Sequence, residues 1–138
     1  MIVVIPVAGR GSRMKELTDE IPKPLLVKNG KTILENKFES LPQKTSHIVL
    51  VTGYLGDKIK EKFGDNWNGI PISYAEQVER LGTAHALWCA KDVITSVNDS
   101  PFMVLMGDDM YDKDELEELS QKDFAVLLQK PLTPTPGG

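Results

Sequence analysis

A glycine turn flanked by two fixed cations stands near the start of the chain. Gly9-Arg10-Gly11-Ser12-Arg13-Met14 follows an apolar run, and ten residues past Arg13 comes Lys23, inside Ile21-Pro22-Lys23-Pro24-Leu25-Leu26. These residue types suit a polyphosphate. Successive backbone N–H groups in a glycine-rich turn form an anion-binding concavity, and a Cβ there would keep phosphate oxygens at a distance. Arginine adds a planar fork of donors and lysine a mobile point charge. Pro22 and Pro24 stiffen the backbone on either side of Lys23 and aim its side chain.

Two familiar phosphate motifs fail on spacing. The dinucleotide fingerprint G-x-G-x-x-G needs a glycine where this chain has Met14. A P-loop ending in Gly30-Lys31-Thr32 needs a glycine where the chain has Leu25. Gly30-Lys31-Thr32 instead reads as a surface turn with Thr32 capping the following helix.

The elements that must position these residues alternate between strand and helix, which predicts an α/β fold with a mostly parallel sheet. Ile2 to Val7 is a continuous run of the kind buried on both faces, and His47 to Thr52 is a second. Ile70 to Ala75 reads as a third strand nearer an edge, Phe102 to Met106 as a fourth and Phe124 to Leu128 as a last. Helices are expected over Thr32 to Leu41, around Leu55, Ile59 and Phe63, over Thr83 to Ile94 with Ala84, Leu87, Trp88 and Ala90, and over the acidic stretch Asp112 to Leu119. Ligands of open α/β sheets bind beyond the carboxyl ends of the strands, where strand order reverses. A strand order 3-2-1-4 would bring the glycine loop beside Gly107-Asp108-Asp109.

Composition narrows the function. The 138 residues, 41% of them hydrophobic, suffice for one core. We expect residues 1–130 to form one domain and 131–138, rich in Pro, Gly and Thr, to be an extended or disordered tail. A net charge of -4 gives no basic footprint for nucleic acid. No apolar run approaches the roughly 20 residues of a membrane span. The single Cys89 fits a reducing cytoplasm. It reads as helix packing, with no basic neighbour expected on its face. His47 and His85 are given no chemistry.

Four segments in order carry a resemblance. Ile5-Pro6-Val7-Ala8-Gly9-Arg10-Gly11-Ser12-Arg13-Met14, Ile21-Pro22-Lys23-Pro24-Leu25, Glu76-Gln77-Val78-Glu79-Arg80-Leu81-Gly82-Thr83-Ala84-His85-Ala86 and Val104-Leu105-Met106-Gly107-Asp108-Asp109 resemble the nucleotidyltransferases that act on sugar 1-phosphates. The uridylyltransferases and thymidylyltransferases of glucose 1-phosphate are the nearest groups. The resemblance runs from Met1 to about Leu128 and implies a Rossmann-like three-layer α/β/α sandwich, truncated relative to the family. Arg10 stands where the family often has a small residue, and Ser12 replaces a common Thr.

By that resemblance the reaction joins a nucleoside triphosphate, UTP or dTTP, to a sugar 1-phosphate and expels pyrophosphate. Arg13 would hold the β- and γ-phosphates, Lys23 the α-phosphate and the sugar phosphate, and Asp108 a Mg²⁺ ion, a hard cation that favours oxygen donors. Asp109 could be the ligand instead, and Asp108 could equally be a helix N-cap. Gln77 and Gly82 would contact the base, and Thr83, with Ala8, Gly9, Gly11 and Ser12, would lie along the nucleotide; the plainer reading makes Gln77 a polar strand end and Gly82 a turn before Thr83 caps the helix. Family members are longer, and their C-terminal half supplies a second Lys, a second acidic metal ligand and most of the sugar pocket. The chain is therefore expected to carry the nucleotide half with little turnover alone. A small nucleotide-binding or regulatory protein is the alternative; Met14 argues against a dinucleotide-binding domain. A truncated sheet should leave an open edge that invites self-association.

Overall fold

The computed structural model describes residues 1–7, 21–53, 55–79, 81–97, 102–107 and 111–122. Its elements run in the order β1 (Ile2–Pro6), a 3-10 turn (Lys23–Leu25), β2 (Val27–Lys28), β3 (Lys31–Thr32), α1 (Ile33–Glu39), β4 (His47–Thr52), α2 (Gly56–Phe63), β5 (Asn66–Trp67), β6 (Ile70–Glu76), α3 (Thr83–Cys89), α4 (Lys91–Val97), β7 (Phe102–Val104) and α5 (Lys113–Leu119). The main sheet has the order β5-β6-β4-β1-β7. Its four long-range members β6, β4, β1 and β7 are parallel, in the 3-2-1-4 arrangement expected of the four strand segments.

Alternation along each strand divides the core into two layers. Val3, Ile5, Ile48, Leu50, Met103 and Leu105 face one side, where they bury Leu34 and Phe38 of α1, Ile59 and Phe63 of α2, and Leu116 of α5. Ile2, Val4, Val49 and Val51 face the other side, against Ala86 of α3 and the adjoining Ala90. A strand covered by helices on both faces has no solvated side, which is why β1 and β4 read as unbroken apolar runs. The result is the expected α/β/α sandwich.

Local chemistry sets the connections. Thr32 caps α1 reciprocally: its Oγ1 accepts from Glu35 N–H at 3.0 Å, while Glu35 Oε2 accepts from Thr32 N–H at 3.3 Å. The surface turn at Asn29-Gly30 proves to be the tip of a β2–β3 hairpin, with both residues at positive φ. An equivalent Asn68-Gly69 tip adds β5 antiparallel to β6, a strand not anticipated.

Two expectations need correction. The helix expected over Thr83 to Ile94 is two helices, with Ala90 ending α3 and Lys91 opening α4. Trp88, placed on its apolar face, is instead 67% exposed, its ring beneath the Lys91 ammonium at 4.5 Å. Small side chains explain the difference: Ala86 and Ala90 are what the sheet admits, and a Trp on the opposite side of the helix points outward. The strand expected over Phe124 to Leu128 and the tail 131–138 lie outside the described residues.

Candidate nucleotide site

The site is assembled where β6, β1 and β7 end. Gln77 extends β6 by one rung, its N–H donating to Thr52 O of β4 at 2.8 Å. Its side chain is 5% exposed. Nε2 donates to Gly82 O at 3.2 Å and faces Nδ1 of His85 at 2.9 Å. The segment from Gln77 to Gly82 thus closes on itself, bringing together two residues that the sequence proposes for one task. Gly82 lies at φ 99° and ψ 179°, a conformation essentially confined to glycine. Gly82 is itself the N-cap of α3, so Thr83 does not cap the helix, contrary to the plainer reading of the sequence; it is the first helical residue, and its Oγ1 donates to Met106 Sδ at 3.8 Å.

Met106 and Gly107 continue β7. Leu105 N–H donates to Val4 O at 2.9 Å, carrying the ladder past Val104. A Cβ on Gly107 would lie 2.4 Å from Pro6 O and 3.0 Å from Val7 Cγ1. Only a glycine lets the end of β7 lie this close to the end of β1. The described ends of β1 and β7 are therefore in backbone contact.

Tyr111 reaches back to the end of β7. Its hydroxyl oxygen accepts from Met106 N–H at 2.9 Å, and the Lys37 ammonium lies 4.8 Å from its ring centroid. Asp112 then caps α5, accepting from Asp114 N–H at 2.8 Å and Glu115 N–H at 3.4 Å. The capping role that competed for Asp108 thus belongs to Asp112.

Lys23 opens the 3-10 turn. Pro22 precedes it in the extended conformation, Pro24 is buried, and Leu26 N–H donates to Lys23 O at 3.0 Å. Leu25 packs on the large core layer, and Ile33 N–H donates to Leu26 O at 2.9 Å, which ties this stretch to α1. Among the described residues, no hydrogen bond joins Lys23 to the Gln77–Gly82 pair. Ala8, Gly9, Gly11, Ser12, Arg13, Asp108 and Asp109 lie outside the described residues.

Three residues at the site escaped the sequence: His85, Met106 and Tyr111. His85 reads as an ordinary helix residue, yet its ring holds Gln77 and also lies 3.8 Å from Cys89 Sγ, so Cys89 does have an imidazole on its face. A spacing of four between His85 and Cys89 was the available signal, because residues so separated share a helix face. Nothing in the spacing of Tyr111 and Met106 suggests their contact.

Electrostatic perturbation is found elsewhere. Burial lowers the pKa of His47, at the opposite end of β4 from the site, where Nε2 lies 2.7 Å from Ser73 Oγ. Burial, and then the charge of Asp65, raise the pKa of Tyr74, whose hydroxyl donates to Gly64 O at 2.6 Å. No three His, Cys, Asp or Glu side chains gather as a metal site among the described residues. A Mg²⁺ site built from one or two carboxylates plus substrate phosphates would not require such a cluster.

Comparison with known proteins agrees with this architecture. The family model described as Nucleotidyl transferase matches residues 2–125. UTP–glucose-1-phosphate uridylyltransferase AglF of Haloferax volcanii is 37% identical over 112 residues, covering 80% of this chain and 44% of that protein. D-glycero-alpha-D-manno-heptose 1-phosphate guanylyltransferase of Campylobacter jejuni is 36% identical over 129 residues, covering 93% of this chain and 56% of that protein. The chain thus spans about half the length of these relatives. A UDP-glucose pyrophosphorylase solved with UDP-glucose shares the fold at a TM-score of 0.67 and 20% identity, over 86% of this chain and 51% of that one. The UTP-bound enzyme of Acinetobacter baumannii does so at 0.68 and 24%, over 78% and 45%.

Proposed function

The chain belongs to the nucleotidyl transferase family, and on that premise we propose that it carries the nucleotide half of a sugar-1-phosphate nucleotidyltransferase. In the proposed reaction an oxygen of the sugar 1-phosphate attacks the α-phosphorus of UTP or dTTP. A new P–O bond forms, the bond to the bridging oxygen of the β-phosphate breaks, and pyrophosphate leaves. Such chemistry needs alignment and charge neutralisation more than a protein nucleophile. Arg13 would grip the β- and γ-phosphates, Lys23 the α-phosphate and incoming sugar phosphate, with Ala8, Gly9, Gly11 and Ser12 along the nucleotide. Asp108 would hold Mg²⁺, which would supply further neutralisation of phosphate charge. Gln77 and Gly82 would meet the base, beside Thr83.

One observation supports this reading: Gly107 packs on Pro6 while Thr83, next to the Gln77–Gly82 pair, reaches Met106, so the described ends of β1, β6 and β7 from which the motif segments continue meet at one end of the sheet. The relatives' names include uridylyl and guanylyl transfer, and uracil and guanine share a ring N–H next to a keto group. Competition binding with Mg²⁺ tests the reading: UTP or dTTP should displace a labelled nucleotide far better than NAD. Arg13→Ala should weaken triphosphate binding much more than nucleoside binding, and equal losses would remove its role. Little or no pyrophosphate should appear when these 138 residues are mixed with UTP and sugar 1-phosphates. Rapid release would refute that part of the reading. The alternative is a small non-catalytic nucleotide-binding or regulatory protein. It would bind alike, with no turnover even when the C-terminal half of a relative is supplied in trans.

We further propose a cytoplasmic protein, with residues 1–130 as the binding unit. Self-association would use the edge of β7, which among the described residues pairs only with β1. A strict monomer in concentrated light scattering would dispose of the last point.

A further inference from the structure

We propose that His85 is a positioning residue that fixes which end of the Gln77 amide is offered to the base. Through it the site selects bases with a ring N–H over bases with a bare ring nitrogen. This inference rests on the functional reading above.

The orientation follows from which atoms can donate. Gly82 O can only accept, so the Gln77 atom 3.2 Å from it must be the amide nitrogen. The same nitrogen lies 2.9 Å from Nδ1 of His85. Its second hydrogen therefore points at the ring, and Nδ1 is the unprotonated nitrogen, which leaves the ring proton on Nε2, beside Cys89 Sγ at 3.8 Å. Both amide hydrogens are thus engaged. Turning the amide over would break the Gly82 bond and set Oε1 against Gly82 O, and Nδ1 could then pair with Oε1 only if the ring proton moved from Nε2 to Nδ1. With Gln77 only 5% exposed, water would do little to offset that loss.

Gln77 is left with one free function, its carbonyl oxygen Oε1. Among the described residues none donates to it. An acceptor held in place pairs with N3–H of uracil or thymine, or with N1–H of guanine. Cytosine N3 and adenine N1 carry lone pairs and would face it lone pair to lone pair. Gln77 alone could adapt to either class, because an amide offers a donor as readily as an acceptor. His85, together with the Gly82 carbonyl, removes that freedom. Sites built to hydrogen-bond a ring N–H gain their selectivity from the unpaired groups that the wrong ligand leaves behind.

The test is competition binding of UTP, dTTP, GTP, CTP and ATP to the full chain with Mg²⁺, with inorganic tripolyphosphate as a control lacking a base. Wild type should prefer UTP over CTP, and His85→Ala should cut that ratio by about tenfold, the equivalent of roughly one hydrogen bond. His85→Phe, which fills the ring's volume without an acceptor, should do the same. His85→Gln, which restores an acceptor, should recover most of the ratio. Tripolyphosphate should compete equally with all four proteins. An unchanged UTP-to-CTP ratio in His85→Ala and His85→Phe would overturn the inference. So would a loss shared by every nucleotide and tripolyphosphate, which would mark a merely structural histidine. If wild type binds no triphosphate, the functional reading itself fails and takes this inference with it; if it binds all bases equally, only this inference falls.

Discussion

The two faces of the sheet are covered by side chains of very different size. On the face of α1, α2 and α5, Phe38, Phe63 and Trp67 form a mutual aromatic cluster, with ring centroids 5.2, 5.3 and 6.1 Å apart. Leu34, Ile59 and Leu116 complete that layer with no exposed surface. On the face of α3 and α4 the buried helix-side residues are Ala86 and Ala90, against Ile2, Val4, Val49 and Val51. The first layer removes large apolar areas from water and should hold most of the folding free energy. The second removes less, but its small residues let α3 lie close to the sheet. That closeness sets His85 against Gln77 and Thr83 against Met106. One face supplies stability and the other supplies position.

The sharpest way to break this contrast is to truncate both faces. Phe38→Ala should cost about 3–5 kcal/mol in denaturant unfolding. Ala86→Gly, on the other face, should cost about 1 kcal/mol, mostly through helix propensity. Equal losses would abolish the distinction. Next come changes that crowd the close approaches. Ala90→Leu should cost about 1–3 kcal/mol, since Ala90 is fully buried beneath the sheet. Gly107→Ala should cost a similar amount, about 1–3 kcal/mol, and should also weaken triphosphate binding, because its Cβ would strike the Pro6 carbonyl. If Ala90→Leu proves neutral, α3 and α4 are not held tightly to the sheet.

Smaller effects sharpen the same comparison. Thr32→Ala removes the capping box of α1 on the aromatic face and should cost about 1 kcal/mol. Base preference in binding should stay unchanged, and a shift would mean the two faces are coupled. The smallest effect concerns His47, at the end of the sheet away from the site. Burial holds its pKa below the ordinary value of 6.5. As pH falls through about 6.5 the unfolded chain takes up this proton before the folded one, so stability is full above that range and declines below it. His47→Asn should flatten part of the fall in melting temperature between about pH 7 and 5. An identical slope in the variant would assign the fall to other groups.

The strand order was legible because runs such as Ile2 to Val7 and His47 to Thr52 are apolar at every position, which only a doubly covered strand sustains. Thr32 was legible as a cap, since a threonine followed three residues later by Glu35 can satisfy both partners locally. Gln77 and Gly82 were legible as a pair only through the resemblance; the hydrogen bond that joins them was not legible, since it depends on how the chain folds back between them. The break at Ala90 was not legible. It carries neither glycine nor proline, and helical periodicity continues across it.

By itself, then, the sequence determined what local rules and pattern can encode: the identity of the parallel strands, the burial of the central ones on both faces, and the cap of α1. Only the tertiary structure decided that His85 grips Gln77, that Tyr111 anchors Met106, and that Gly107 rests on Pro6. Hydrogen-bonding partners and backbone approaches of this kind depend on distances between elements remote in sequence. Those distances are set by the volumes of the side chains packed between the elements, and residue spacing does not record them.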